Sequence, residues 1–313
     1  MAGGGAGAGL VTFLVSDEVA MAVAAGSAVV GLETSVIGQG LPTPQNLTCV
    51  EQMQAAIRST GAVPAWTGVV DGIVRVGLDR GELARFMEPG AATKVARRDL
   101  PVAVATGALG ATTVSATVWA AQHAGIAVAA TGGIGGVHPG ARPDVSADLA
   151  ELARTPVLLV CSGPKSIVDP LATAERLEEL GVTVVGFGVD RLPFFLSRET
   201  DVELEHRVDA PKEAAAILAA HRALGDGGAI LLCNPVPTEH AMDRGELLAA
   251  TARARERMER HAVHGKAVTP FLLSALAEET QGRSLEANLA LLQDNARIAA
   301  EVACALSAAT SAR

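Results

Sequence analysis

The sequence predicts an α/β fold with a central, largely parallel sheet. Three observations predict it. Short apolar runs alternate with segments of helical pattern. Several of those runs end in polar or glycine-rich loops, where open α/β sheets bind ligands. From about His240 onward the pattern is almost wholly helical.

The elements follow in order. Ser16 caps a helix with Asp17 and Glu18 in its first turn and Gly26 at its end. Ala28 to Glu33 reads as a buried strand, with GLETSVIGQGLPTPQN as the loop after it. Thr43 and Pro44 begin a helix that Gly61 closes. Asp71-Gly72 between apolar flanks predicts a hairpin over Val63 to Val76. A short helix is expected over Glu82 to Met87, and Lys94 to Asp99 is a basic patch. Pro101 to Thr106 reads as a strand, and Ala111 to Ala124 as a helix ended by Gly125. Ile126 to Ala130 is a strand running into a glycine loop, and Ser146 caps the helix after that loop. Val157 to Cys161, Val182 to Gly186 and Ala229 to Cys233 read as strands. Asp169-Pro170 starts a helix that ends at Gly181, and Pro211 to Leu224 forms another. No repeat or linker interrupts this pattern. A single domain is expected over 11–313, after a flexible tail of residues 1–10.

Composition excludes several classes. A net charge of −9 argues against an electrostatic nucleic-acid binder, which would need a basic face. No apolar run reaches the ~20 residues of a membrane span. The N-terminal stretch lacks the charged region of a signal peptide. Cys49, Cys161, Cys233 and Cys304 have no metal spacing and read as reduced thiols of a cytoplasmic protein. The hydrophobic fraction is 49% and the aromatic fraction 3%, so the core is mostly aliphatic.

The chemistry-bearing stretch is TGGIGGVHPGARPDVSAD, Thr131 to Asp148, with CSGPKS after it at Cys161 to Ser166. The glycines do not match the dinucleotide fingerprint, because His138 stands at the third required position. The spacing of a phosphate-binding P-loop is missing as well. Asp144 and Asp148 are four apart and would share a face on a helix. They read either as a metal ligand with a substrate-orienting acid or as carboxylates at a helix N-terminus. Any metal there would be hard, Mg²⁺ or Mn²⁺. Glu33 ends an apolar strand, which requires a partner or a use. Asn288 lies inside a strong helix, where capping does not explain it. Lysine is scarce, with only Lys94, Lys165, Lys212 and Lys266 against 21 arginines (25 minus 4). Arginine stays protonated and lysine need not, so Lys165 beside the glycine loops is a candidate nucleophile.

GLETSVIGQGLPTPQN, KVARRDLP, GATTV, TGGIGGVHPG, DVSADL, KSIVD, GKAVTPFLL and SLEANLAL together resemble, in order, the signature segments of the pseudouridine-5′-phosphate glycosidase family, whose members also occur beside indigoidine biosynthesis genes. The resemblance runs from about Val15 to Leu306. It implies a three-layer α/β/α subunit, a homotrimer, and a divalent cation, usually Mn²⁺. It implies reversible cleavage of pseudouridine 5′-phosphate to uracil and ribose 5-phosphate through a lysine Schiff base. By position, Lys165 corresponds to the Schiff-base lysine, Glu33 to the proton donor and Asp144 to the metal ligand. Lys94, Val114 and the run Ser146, Ala147 and Asp148 correspond to substrate contacts. His138 and Asn288 fall on polar positions of the pocket. Two departures from the family pattern fall at Thr106 and in the His138–Asp144 loop.

That chemistry suits the residue types. A C-glycoside offers no heteroatom leaving group, unlike the substrates of most glycosidases. Uracil C5 must be protonated, for which an acid such as Glu33 serves. C1′ must bear the electron deficiency, which a lysine adduct on an opened ribose provides. Lys94, Ser146 and backbone amides suit the 5′-phosphate. Two other readings share parts of this site: a Schiff-base aldolase on another phosphosugar, and a non-catalytic sugar-phosphate sensor.

Overall fold

The computed structural model describes residues 11–140, 144–225 and 227–311. The expected tail of residues 1–10 lies outside them. Eleven strands are present among the described residues: β1 Phe13–Val15, β2 Val29–Glu33, β3 Val63–Val70, β4 Ile73–Val76, β5 Thr93–Val95, β6 Gly110–Thr112, β7 Val128–Ala130, β8 Leu158–Cys161, β9 Thr183–Phe187, β10 Arg207–Val208 and β11 Ile230–Cys233. The helices are α1 Asp17–Ala24, α2 Gln45–Arg58, α3 Arg80–Met87, α4 Leu100–Ala105, α5 Val114–His123, α6 Ala147–Leu152, α7 Pro170–Glu179, α8 Pro211–Leu224, α9 Arg244–Arg260, α10 Val268–Glu279 and α11 Arg283–Ser311. A π-helical turn spans Val36–Gly40.

All strands belong to one sheet, ordered β1-β4-β3-β2-β7-β8-β11-β9-β10, with β6 pairing β3 and β5. Every pairing is parallel except β3 with β4 and β3 with β6. The central strands are buried along their whole length because helices cover both faces. Residues of α2, α8 and α11 share one core cluster with the sheet, including Ile57, Leu218 and Leu291. Residues of α5, α6 and α7 share another, including Val118, Leu152 and Leu177. The result is the three-layer α/β/α architecture with a helical C-terminal third.

The sequence signals act locally as read. Ser16 Oγ accepts from Val19 N at the start of α1. Asp71 and Gly72 both take positive φ, 52° and 77°, as the β3–β4 turn requires. Asp79 and Glu82 form a capping box for α3, and Asp169 caps α7 through Ala172 N.

Three expectations need correction. Pro101 to Thr106 is not a strand. Pro101 sits in the first turn of a helix, α4, where its missing N–H costs nothing. Residues 111–112 belong to β6, so α5 begins only at Val114. Asp144 and Asp148 do not share a helical face, since α6 begins at Ala147 and Asp144 precedes it. The very short strands β1, β5, β6 and β10 carry too few residues to show a period.

Where the core is closely packed, a shortened side chain leaves a void. Ile57 is fully buried on α2, away from the strand ends that carry polar loops. Ile57→Ala is expected to lower unfolding free energy by about 2–5 kcal/mol in a urea titration. A loss below about 1 kcal/mol would contradict this packing.

Candidate active site

β2 lies between β3 on one side and β7 on the other, so the chain order reverses there. Such a switch point opens a crevice at the carboxyl ends of the strands. A cavity of about 290 Å³ occupies it. Its wall includes Glu33, Lys94, His138, Asp144, Ser146, Ala147, Asp148, Lys165 and Asn288. Three of the four lysines therefore face one space, since Lys266 lines it too.

Glu33 is the last residue of β2 and is 3% exposed. Leu32 pairs with Ala130 in register, so the next residues along the chain, Glu33 and Thr131, come side by side. Thr131 Oγ1 donates to Glu33 Oε1, and Ser35 Oγ donates to Oε2 at 2.7 Å. Both oxygens are thus held while the carboxyl group lines the cavity. Behind it, the buried hydroxyls of Thr34, Thr112 and Thr117 gather on the Thr67 carbonyl, Thr117 through Thr112. Thr34 Oγ1 and Thr112 Oγ1 donate to the Thr67 carbonyl at 2.7 and 2.6 Å. That cluster ties the end of β2 to β3 and β6.

Lys165 sits four residues past β8 and is half-buried. Its N–H donates to the Ile134 carbonyl at 3.0 Å, and its carbonyl accepts from Val168 N at 3.0 Å. The turn is therefore bound to the glycine loop through its backbone, and the amine has no hydrogen-bond partner among the described residues. On the far side, Arg255 donates to the Ile167 carbonyl and anchors α9 to the same turn.

Asp148 is 5% exposed and serves as a brace. It accepts from Ser115 N at 3.1 Å and from Gly135 N at 2.9 Å. Only glycine fits at 135: a Cβ there would lie 2.6 Å from Ser146 Cβ. Ser146 Oγ caps α6 through Asp148 N at 3.2 Å. Asp144 is exposed, and its carbonyl accepts from His138 N at 2.8 Å. Burial holds His138 below the ordinary histidine value, against the pull of Asp144, and the charges of Arg255, Lys94 and Lys165 add to the shift. Lys94, on β5, is pushed down from 10.5 mainly by burial and next by Lys165.

Asn288, on α11, is 8% exposed, and its side chain makes no hydrogen bond to another described residue, although it lines the cavity. Val114 is not part of the cavity wall. As the first residue of α5 it belongs to the core cluster with Val118 and Leu149. Thr106 ends α4, exposed, and donates to the Val102 carbonyl at 2.8 Å, also outside the cavity wall. Residues 141–143 of the other departing loop lie outside the described residues.

Several wall residues were not read from the sequence: Thr131, Ser35, Gln39, Asp99 and Phe195. Lys266 was read only as a lysine within the GKAVTPFLL segment. Thr131 opens the glycine stretch and Ser35 lies within GLETSVIGQGLPTPQN, but strand register is what brings Thr131 to Glu33. Lys266 reaches across from the α9–α10 connection. Its Nζ lies 2.9 Å from Asp99 Oδ2 and 3.2 Å from the Lys94 carbonyl.

Among the described residues no three His, Cys, Asp or Glu side chains gather as a metal cage. A single exposed carboxylate such as Asp144 suits a hard cation that keeps most of its waters and shares oxygens with a phosphate.

The fold and cavity define an α/β enzyme acting on a small molecule, with an amine and a buried carboxyl group lining one space at the strand ends. The chain belongs to the indigoidine synthase A-like family, whose model matches residues 18–305. Its relatives include a pseudouridine-5′-phosphate glycosidase of Herpetosiphon aurantiacus, 50% identical over 295 residues, covering 94% of this chain and 97% of that one. Among solved structures, an indigoidine synthase A-like protein of Thermotoga maritima is 39% identical with a TM-score of 0.87, covering 95% of this chain and 97% of that one. A prealnumycin C-glycosynthase in complex with ribulose 5-phosphate is 38% identical with a TM-score of 0.86, covering 96% and 99%.

The depressed Lys94 value has a testable sign. Its charged form attracts phosphate, and burial makes it give up the proton earlier than a free lysine. A phosphomonoester is already doubly ionised above about pH 7. The affinity for ribose 5-phosphate, measured by calorimetry, is therefore expected to weaken as pH rises from 7 toward about 10. Lys94→Met should bind more weakly and lose most of that dependence. An unchanged pH profile in the variant would contradict the assignment.

Proposed function

We infer that this chain cleaves and re-forms the carbon–carbon glycosidic bond of pseudouridine 5′-phosphate, giving uracil and ribose 5-phosphate. The observation that carries the reading is Lys165 and Glu33 lining one cavity in a chain with four lysines, three of them there. The 50% identical glycosidase supports the substrate. The C-glycosynthase relative supports carbon–carbon chemistry at a site of this shape.

In this reading the neutral Lys165 Nζ bonds to C1′ as the C1′–O4′ bond opens. The amine loses a proton and O4′ gains one. Glu33 then gives its proton to uracil C5, and the C1′–C5 electron pair returns to the base. The lysine nitrogen supplies its lone pair, leaving a C1′ iminium. Water adds to that iminium, Glu33 recovers a proton from it, and ribose 5-phosphate departs from the regenerated amine. Thr131 and Ser35 keep the Glu33 carboxyl group turned toward the base throughout. Lys94, Lys266 and Ser146 supply charge and hydrogen bonds to the 5′-phosphate, and His138 and Asn288 orient the remaining polar groups. Asp144, with water completing the shell, would hold a divalent cation, Mn²⁺ or Mg²⁺, which would supply positive charge to the anionic substrate.

The homotrimer belongs to the same reading, as does a cytoplasmic location, which four free thiols support. No helix among the described residues is long and apolar enough to cross a membrane.

Incubation with pseudouridine 5′-phosphate and Mn²⁺ should release uracil. Lys165→Arg and Lys165→Ala should both lose at least about 10³-fold in kcat, because a retained charge does not replace the lost nucleophile. No uracil from the wild type would overturn the substrate and leave the aldolase or sensor. An active Lys165→Arg would overturn the imine route, since arginine keeps its proton.

A further inference from the structure

The long helix α11 carries two asparagines seven residues apart, Asn288 and Asn295, and so on one face. Asn288 lines the cavity. Asn295 is fully buried beneath it and is not part of the wall. Its amide nitrogen donates to the Thr131 carbonyl at 2.8 Å and to Ser162 Oγ at 3.1 Å, with the Gly132 carbonyl at 3.4 Å. Its oxygen accepts from Asn234 Nδ2 at 3.0 Å and lies 3.4 Å from Ser162 Oγ. Thr131, Ser162 and Asn234 are the first residues past β7, β8 and β11. One side chain therefore fastens the ends of three adjacent parallel strands.

Two of those ends lead directly to the reacting groups. The Thr131 hydroxyl donates to Glu33. Ser162 is three residues before Lys165, and its carbonyl accepts from Phe195 N at 2.7 Å, which sets the Phe195 wall. We propose that Asn295 is a positioning residue: it holds the Glu33 donor and the Lys165 turn at a fixed separation. The proposal rests on the reading of Glu33 and Lys165 given above. The residue type fits the task. Asparagine offers two donors and two lone pairs from one short planar group, and this site uses both kinds. Aspartate would turn oxygens toward the Thr131 carbonyl. A leucine of similar size would leave that carbonyl and a buried hydroxyl without partners.

A group that positions others changes turnover more than binding. Asn295→Ala is expected to lower kcat for pseudouridine 5′-phosphate by about 10- to 100-fold, with KM within about threefold of wild type, since a misplacement near 1 Å costs on that order. Ser162→Ala removes one partner and should lower kcat in the same pattern by about 3- to 10-fold. Ile57→Ala, remote from the strand ends, controls for lost stability and should keep kcat wherever it remains folded. A folded Asn295→Ala with wild-type kcat, or with only KM raised, would overturn the proposal. So would an equal kcat loss in Ile57→Ala at the same folded fraction. If Asn295→Ala does not fold, Ser162→Ala decides: wild-type kcat there overturns it, and a kcat loss with KM held supports it. A wild-type chain that releases no uracil sinks the functional reading and this proposal with it. An active wild type with unaffected variants sinks this proposal alone.

Discussion

A carboxyl group at the end of a fully buried strand must be given donors, and the pairing of Glu33 with Thr131 meets that demand. An unpaired carboxylate in this position would cost several kcal/mol or take up a proton. The donor is supplied by strand register. β2 and β7 run parallel and adjacent with Leu32 opposite Ala130, so Glu33 at the end of β2 comes beside Thr131, the first residue past β7. Much of the cavity follows from that contact. The glycine loop leaves β7 immediately after Thr131, and Asp148 pins that loop to the start of α5. The turn bearing Lys165 is in turn bound to the loop through Ile134. The acid and the amine are thus joined through the Thr131 hydroxyl, the glycine loop and one backbone bond, and a larger residue at 135 would collide with Ser146 and Asp148, which brace that loop.

The cavity's electrostatics have a second origin, in burial. Lys94 and Lys165 are half-buried and face one space, and burial first, then the nearby Lys165, pushes the Lys94 value down. Lys266 adds a third positive charge, partly offset by Asp99. Such a cluster is unfavourable when empty and favours a doubly charged phosphate as its occupant. The same burial keeps His138 neutral near pH 7, free to serve as donor or acceptor.

What the sequence revealed and concealed follows from the range of each interaction. The central strands and most helices announce themselves through contiguous apolar runs and caps, and Lys165 stands out through scarcity. The run Pro101 to Thr106 reads as a strand because so short an apolar run fits a strand or a short helix equally well. Asp144 and Asp148 carry a helical spacing, but the cap at Ser146 starts the helix after the first of them. Val114 occupies a matching family position while its side chain turns into the core. Asn295 gave no signal at all. Its partners Thr131, Ser162 and Asn234 lie 61 to 164 residues away, and two of its bonds go to backbone carbonyls. A contact of that kind leaves no period, spacing or composition to read.

The central claim is that one amine, at Lys165, bonds covalently to the sugar. Borohydride reduction in the presence of ribose 5-phosphate, followed by peptide mass spectrometry, tests it most directly. One open-chain sugar phosphate is expected per chain, attached at Lys165. Attachment at Lys94, Lys212 or Lys266 instead, or no attachment in a chain that still releases uracil, would contradict it.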